Sequence, residues 1–320
     1  MLKEKISKKN KIGAAIIGLG NIGLLYDLNT NQILTHSKSL IKNPKVKLMF
    51  AIDRSLKNRK IFEQKYKIKT YKSLKDISEF DKIKLLVVST PTKTHLNIIK
   101  TIPKKNKLKY IILEKPGGRN YNELLKVYNF CKKNKINLSI NYFRNYLNQF
   151  NNLKKLFISK KQKKIIFWYS KGMLNNCSHL INFSLSIFGW PKKITTLGNY
   201  SKFSKEKDFD FKIDYKNSEI YFLCTPKKNI SHNEIIFLSE DVKLFSKNDF
   251  NEVFKQRFNK NFNFTKKSVI AKSPSNLQSE VLKNKLIMYK DKRKILKNIK
   301  VNLMTLKLID YVKNKKNYKL

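Results

Sequence analysis

Short apolar runs separated by amphipathic stretches set the rhythm of the first 142 residues. Ala14 to Ile17, Lys45 to Ile52, Ile68 to Tyr71, Lys84 to Thr90, Lys109 to Leu113 and Ile136 to Tyr142 are brief and mostly rich in β-branched residues, the pattern of parallel strands covered on both faces. Between them, helical spacing is read over Asn58 to Tyr66, from Ser73 with that serine as N-cap, over Thr94 to Ile102 and over Asn120 to Asn134. Strands alternating with helices predict an α/β unit, a doubly wound parallel sheet that binds ligands at the carboxyl ends of its strands. Beyond Tyr142 the pattern changes. Helices are expected over residues 145 to 159 and over Ser178 to Phe188, the second stopped by Gly189 and Pro191, with a strand at Lys164 to Tyr169 between them. Closely spaced runs at Ile194 to Leu197, Phe209 to Tyr215, Glu219 to Cys224, Asn233 to Leu238 and Val242 to Phe245 predict a mainly antiparallel sheet, and the chain from Leu277 onward reads as helix. The expectation is a Rossmann-type domain over 1–143 and an α+β domain over 144–320.

The first apolar run leads into Gly18-Leu19-Gly20-Asn21-Ile22-Gly23, a G-x-G-x-x-G directly after a strand. Gly18 permits the tight turn, Gly20 admits a pyrophosphate to the backbone, and Gly23 lets the following helix pack against the strand. That helix would offer unpaired N–H groups and a positive dipole end to the phosphates. The second strand ends on Asp53, an acid that can accept ribose hydroxyls. It lies about 30 residues beyond Gly23 where about 20 is usual, and a loop around Asp27 to His36 takes up the excess. A carboxylate repels a 2′-phosphate, so Asp53 favours NAD, while Arg54 beside it leaves NADP open.

A net charge of +48 by itself points to nucleic acid or anionic membrane. Its distribution argues otherwise, because each half of the chain carries +24, nearly all of it lysine accompanied by abundant Asn and Ile. A binding footprint is a patch, whereas this is a compositional bias, and no specific nucleic-acid partner is expected. The basic start, Met1 to Lys11, lacks a signal-peptide apolar core, and no run is long enough to span a membrane; a cytoplasmic location is the expectation. Cys131, Cys177 and Cys224 lack C-x-x-C spacing and are read as reduced, with no zinc site.

In order along the chain, Gly18 to Gly23, Asp53-Arg54, Ser89-Thr90-Pro91 with His95, Glu114-Lys115-Pro116, Tyr142-Phe143-Arg144, and Gly172 through Asn175, His179 and Asn182 to Phe188-Gly189-Trp190-Pro191 resemble the glucose-fructose oxidoreductase, inositol dehydrogenase and MocA family. Tyr169-Ser-Lys-Gly172 with the following Leu-Asn-Asn and Ser-His is most similar to members that act in surface-polysaccharide and sugar modification. The resemblance implies an NAD(P)-dependent oxidoreductase that moves a hydride between nicotinamide and a sugar or nucleotide-sugar carbon. It also implies pairing into a homodimer or homotetramer.

The resemblance carries the catalytic role onto Lys115, which follows a strand end where an amine can bond a substrate hydroxyl, and onto His179 as general acid or base. Asn175 stands where many members have the aspartate that orients this histidine, and Asn182 where an acid is frequent. A non-redox member that retains NAD for epimerisation or elimination, or a cofactor-binding protein whose catalysis has decayed, is therefore the alternative, with a basic nucleic-acid-binding protein a less favoured one. The implied cofactor contacts are Gly18, Gly20, Asn21, Ile22, Gly23, Asp53, Arg54, Ser89, Thr90, Pro91, His95, Glu114 and Lys115. The implied substrate contacts are Tyr142, Arg144, Tyr169, Lys171 and Asn176. No metal is implied, and His36 and His232 are given no role.

Overall fold

The computed structural model describes residues 11–103, 106–159, 163–199, 208–225, 232–247, 250–261, 263–314 and 318–319, so that all of the basic start except Lys11 lies outside the described residues. Two compact units are formed. One comprises Met1–Phe143 with Ser275–Ile299, the other Arg144–Pro274 with Lys300–Leu320.

In the first unit, β1 (Ile12–Ile17), β2 (Val46–Ile52), β3 (Thr70–Tyr71), β4 (Leu85–Val88), β5 (Tyr110–Leu113) and β6 (Asn137–Ile140) form a sheet in the order β3-β2-β1-β4-β5-β6. All of its pairings are parallel. This is the doubly wound order, with the topological switch between β1 and β4. The apolar runs supply its centre: Ala14 to Ile16 and Leu85 to Val88 are at most 1 % exposed. Helices α1 (His36–Lys42), α2 (Leu56–Tyr66), α3 (His95–Lys100) and α4 (Tyr121–Lys133) follow β1, β2, β4 and β5. Side-chain caps from Thr35, Ser55 and Asn120 start α1, α2 and α4. Ser73 also caps as expected, in a capping box with Asp76, but it opens a single 3-10 turn rather than an α-helix.

The helix expected at the fingerprint is absent as a continuous element. Leu24 N–H reaches the Gly20 carbonyl at 2.8 Å, one turn forms, and the chain then leaves the helical path. It returns at α1, where His36 N–H donates to Ile22 O (3.0 Å) and Ser37 N–H to Gly23 O (3.1 Å). In an uninterrupted helix those carbonyls would receive residues 26 and 27, four positions on. Residues 26–35 are thus spliced into the helix, which accounts for the long spacing to Asp53. Buried Asp27 organises the splice, its Oδ2 accepting the N–H groups of Leu34 (2.7 Å) and Thr35 (2.8 Å) and its Oδ1 the Thr35 hydroxyl (2.9 Å).

A second difference concerns the domain limits. Helix α5 (Asn148–Ser159), α6 (Ser178–Phe188) and a large sheet belong to the second unit, but α7 (Leu277–Met288) belongs to the first. Its contacts show what it covers: Tyr289, just past its end, donates to Ile111 O (3.0 Å) and stacks on Tyr110, and Lys285 donates to Ser139 Oγ and Ile140 O on β6. Ser275–Ile299, within the 144–320 read as one domain from the sequence, thus lies in the first compact unit. Helix α8 (Lys292–Lys313) contributes residues to both units.

The second unit's sheet contains β7 (Lys163–Tyr169), β8 (Lys193–Asn199), β9 (Phe209–Tyr215), β10 (Ser218–Cys224), β11 (Glu234–Ser239), β12 (Val242–Lys247), β13 (Glu252–Arg257), β14 (Ser268–Lys272) and β15 (Tyr318–Lys319). Among the described residues it is antiparallel except for the pairing of β7 with β10. Its period-two burial, as along β10, puts Phe211, Phe222, Phe167 and Phe237 into one core face. Among the described residues no helix is long and apolar enough to cross a membrane.

Candidate functional site

In the first unit, the fingerprint glycines separate into two physical kinds. A Cβ on Gly23 would lie 2.1 Å from the Gly18 carbonyl oxygen, and one on Gly18, where φ is +100°, would meet the Ser89 backbone at 2.8 Å. Both positions are therefore demanded by the fold itself. Around Gly20, a Cβ would find nothing within 4 Å, so its smallness serves something other than packing. Among the described residues, the N–H groups of Gly20, Asn21, Ile22 and Gly23 have no acceptor, while Gly18 N–H is taken by Ile52 O and Leu19 N–H by Asp53 Oδ2 (2.6 Å). Four consecutive unpaired donors beside an open glycine are the arrangement that a pyrophosphate requires. The residues present fit a dinucleotide.

Asp53 is half-buried just past β2. Besides Leu19 N–H it accepts Ser55 N–H on Oδ1 (2.7 Å), so the carboxylate both steadies the glycine loop and fixes its own aim. Arg54 is exposed. Ser89, past β4, is buried and donates to Gly18 O (2.7 Å), holding the turn from below. Thr90 accepts the Thr94 hydroxyl (2.8 Å), and Pro91 is exposed. His95 is fully buried with Nε2 2.8 Å from Thr90 O; burial lowers its pKa, against the backbone groups of Thr90 and Gly117, so it is a neutral brace between two loops.

Lys115 is half-buried two residues beyond β5 and precedes a cis proline. Glu114 is among the expected cofactor contacts. Its carboxylate is buried and turned into the unit, where Oε1 accepts from His36 Nε2 (2.7 Å) and Asn141 Nδ2 (2.6 Å) and Oε2 from Lys115 N–H (3.2 Å). Burial alone would raise the Glu114 pKa. The His36 hydrogen bond and charge, the Asn141 bond and the Lys115 charge outweigh it and hold the carboxyl below its ordinary value. Lys285, fully buried nearby on α7, is pushed down to about 7 by burial, against the raising effect of Glu114. His36 and Lys285 were missed from the sequence. His36 lies ten residues out of its helical register, and Lys285 is one lysine among very many.

In the second unit, β7 runs into Lys171 (φ +62°) and Gly172 (φ +100°), then a π-helical turn over Met173–Cys177 that passes directly into α6. Wide turns of this kind frequently mark functional segments. Asn175 on that turn is exposed, Asn176 half-buried, and His179 in the first turn of α6 is buried. Asn182 is fully buried: its Nδ2 donates to Asn302 Oδ1 (3.1 Å) and Thr305 Oγ1 (2.9 Å), while Oδ1 accepts from Asn145 (2.5 Å). An aspartate could not make both donations, which explains the amide there. Tyr169, an expected substrate contact, lies at the end of β7. Its hydroxyl, fully buried, donates to Phe209 O (2.7 Å) and accepts Phe209 N–H (2.9 Å), a clamp from β7 to β9. Arg144 lies 5.0 Å over the Phe250 ring, Lys171 is exposed, and in the first unit Tyr142 is buried just past β6.

The three cysteines are buried and form no disulfide, and among the described residues no group of His, Cys, Asp and Glu is arranged to hold a metal.

The model of an oxidoreductase family with an NAD-binding Rossmann fold, GFO_IDH_MocA, matches residues 12–142. No curated protein matches the sequence. Among solved structures, the fold is similar to a dehydrogenase (MviM) from Clostridium difficile, with 15% identity, a TM-score of 0.72, and 95% of this chain and 99% of that one covered. It is also similar to a mutant 3-ketoreductase from Actinomadura kijaniata in complex with TDP-benzene and NADP, with 11% identity, a TM-score of 0.73, and 97% and 99% covered. A third is an oxidoreductase from Agrobacterium radiobacter in complex with NAD+, L-tartaric acid and magnesium, with 12% identity, a TM-score of 0.69, and 97% and 98% covered. Residues 12–142 of this chain thus match the NAD-binding Rossmann fold of the Gfo/Idh/MocA oxidoreductase family.

Proposed function

We propose that this protein is an NAD(P)-dependent dehydrogenase or reductase acting on a CH–OH carbon of a sugar or nucleotide-sugar, in surface-glycan or sugar metabolism in the cytoplasm. The observation that carries the reading is the cradle of unpaired N–H groups at residues 20–23 around an open Gly20, with Lys115 beyond the end of β5, two strands along the same sheet from β1. The TDP moiety bound by the Actinomadura ketoreductase supports the nucleotide-sugar class. When bound, the nicotinamide supplies the hydride acceptor or donor.

The chain's own residues do the rest. Gly20 to Gly23 bind the pyrophosphate, and Asp53 accepts ribose hydroxyls and favours NAD. Ser89 and His95 hold the loops that border the cofactor, with Thr90, Pro91 and Arg54 at their surface. Lys115 takes or returns the proton of the substrate hydroxyl. His179 is assigned proton transfer by the family resemblance, oriented by Asn175, and Arg144, Tyr142, Lys171 and Asn176 are assigned to the substrate. A homodimer or homotetramer would cover exposed Leu197, Leu238 and Val269 on the second sheet, and mass by light scattering tests it.

The test is nicotinamide absorbance on mixing the protein with NAD or NADP and a panel of sugars and nucleotide-sugars, with Lys115→Met alongside. Turnover by the wild type and its loss in the variant, with NADH affinity kept within a few-fold, is the expected result. Equal turnover by both removes Lys115 from the mechanism. A second reading, NAD retained for a non-redox reaction, is favoured by the amide at Asn175, which cannot stabilise an imidazolium by charge. Release of stoichiometric NAD on denaturation, without net turnover, would establish it.

A further inference from the structure

We propose that His36 is a positioning residue for Lys115, acting through the Glu114 carboxylate; this rests on the reading of Lys115 as the proton-handling lysine. Glu114 N–H donates to Val88 O (2.9 Å) and Gly117 N–H to Glu114 O (3.1 Å), so the segment leaves β5 in a tight turn with Lys115 on it. Inside that turn the only side-chain carboxylate is that of Glu114 itself, and its Oε2 holds the Lys115 N–H. The carboxylate is held in turn by two donors from elsewhere in the unit, His36 at the start of α1 and Asn141 past β6. Because the partner is an ionised carboxylate, Nε2 of His36 carries the hydrogen.

Stability alone does not account for this cluster. A buried ionic group can be exchanged for well-packed apolar residues at no loss, whereas removing one partner leaves a charge without its donors. What the cluster supplies is direction: it fixes the plane of the Lys115 peptide, and with it the start of the lysine side chain. His36 can serve only because the chain, after its ten-residue excursion, re-enters on the Ile22 and Gly23 carbonyls and regains helical register. The titratable groups that bear on Glu114 are His36, Lys115, His95 and, from α7, Lys285.

The experiment compares His36→Ala and His36→Gln in the full chain. The glutamine amide can present a donor where Nε2 stood. Two readouts are taken. One is hydrogen exchange of the backbone amides of 114–118 with NADH present, and the other is steady-state turnover of NADH with the best nucleotide-sugar of the panel. His36→Ala is expected to speed exchange in that segment about tenfold or more and to lower kcat by a similar factor with KM within threefold, and His36→Gln to restore both. In the Lys115→Met background, His36→Ala should still speed exchange and change turnover no further. An inactive Lys115→Met together with wild-type kcat or unchanged exchange in His36→Ala overturns the positioning role alone. A fully active Lys115→Met overturns the lysine reading and the proposal with it. Equal loss in His36→Gln and His36→Ala, with a lowered melting temperature in both, would mark His36 as structural and also overturn it.

Discussion

Replacing Gly20 by valine separates cofactor binding from folding. The fold has no use for a hydrogen at that position, since a Cβ there meets nothing within 4 Å, so the substitution should change stability by no more than about 0.5 kcal/mol. The ligand would meet it directly. A pyrophosphate lying on the N–H groups of residues 20–23 makes charge-assisted hydrogen bonds worth about 1.5–3 kcal/mol each. A branched side chain that lifts it off two of them should cost roughly 3–6 kcal/mol, or about 10²- to 10⁴-fold in Kd. Gly23→Ala is the contrasting control. Its methyl would lie 2.1 Å from a carbonyl oxygen, and overpacking of that kind costs about 1–3 kcal/mol or more, lowering Tm by roughly 2–4 °C per kcal/mol. NADH fluorescence titration and thermal melting, run on both variants, read the two effects. If Gly20→Val binds NADH within threefold of the wild type, or melts as early as Gly23→Ala, then Gly20 does not admit a pyrophosphate.

Asp53 should set the cofactor choice: the wild type is expected to bind NAD at least tenfold tighter than NADP, and Asp53→Asn to narrow that ratio about tenfold, which paired titrations would read. Asn182→Asp deprives Asn302 and Thr305 of their donor and should destabilise the protein by about 2–4 kcal/mol, a loss that urea unfolding would reveal and an unchanged midpoint would contradict. Lys285 predicts a pH dependence. Because its folded-state pKa, about 7, lies below that of an unfolded lysine, the unfolded chain binds the extra proton between about pH 7 and 10. Wild-type stability should therefore rise across that window relative to Lys285→Met, by up to about 1.4 kcal/mol per pH unit, with little difference in slope below pH 6. Parallel stability-versus-pH curves would refute it.

Where a signal was local and repeated, the chain could be read directly. The strands of the first sheet announced themselves as apolar runs, α6 fell between Ser178 and Phe188 as its pattern and its Gly189 stop required, and the glycine fingerprint marked the loop that carries the unpaired donors. Features that depend on distant partners stayed hidden. Nothing in the sequence near His36 says that its ring meets Glu114, 78 positions away, and the splice that delivers it disguised a helix as a loop. Tyr169 reads like a surface ligand contact because its neighbours do, yet its hydroxyl is spent on Phe209. Helix α7 could be read as a helix, but with Gln278 and Lys285 buried and Ile287 exposed its sequence does not name the surface it covers.

That helix has a consequence for how the protein comes into being. The first unit needs Ser275–Ile299 to be complete, and during synthesis those residues follow the whole of 144–274. At about 5–20 residues per second, the strands β1 to β6 wait on the order of ten to thirty seconds between the emergence of the sheet and the arrival of its last helix. For that interval Ser139, the Ile140 carbonyl and the Tyr110 ring have no α7 upon them. A nascent chain stalled before Leu277 would present this bare flank to chaperones and proteases, and release past Ile299 would close it.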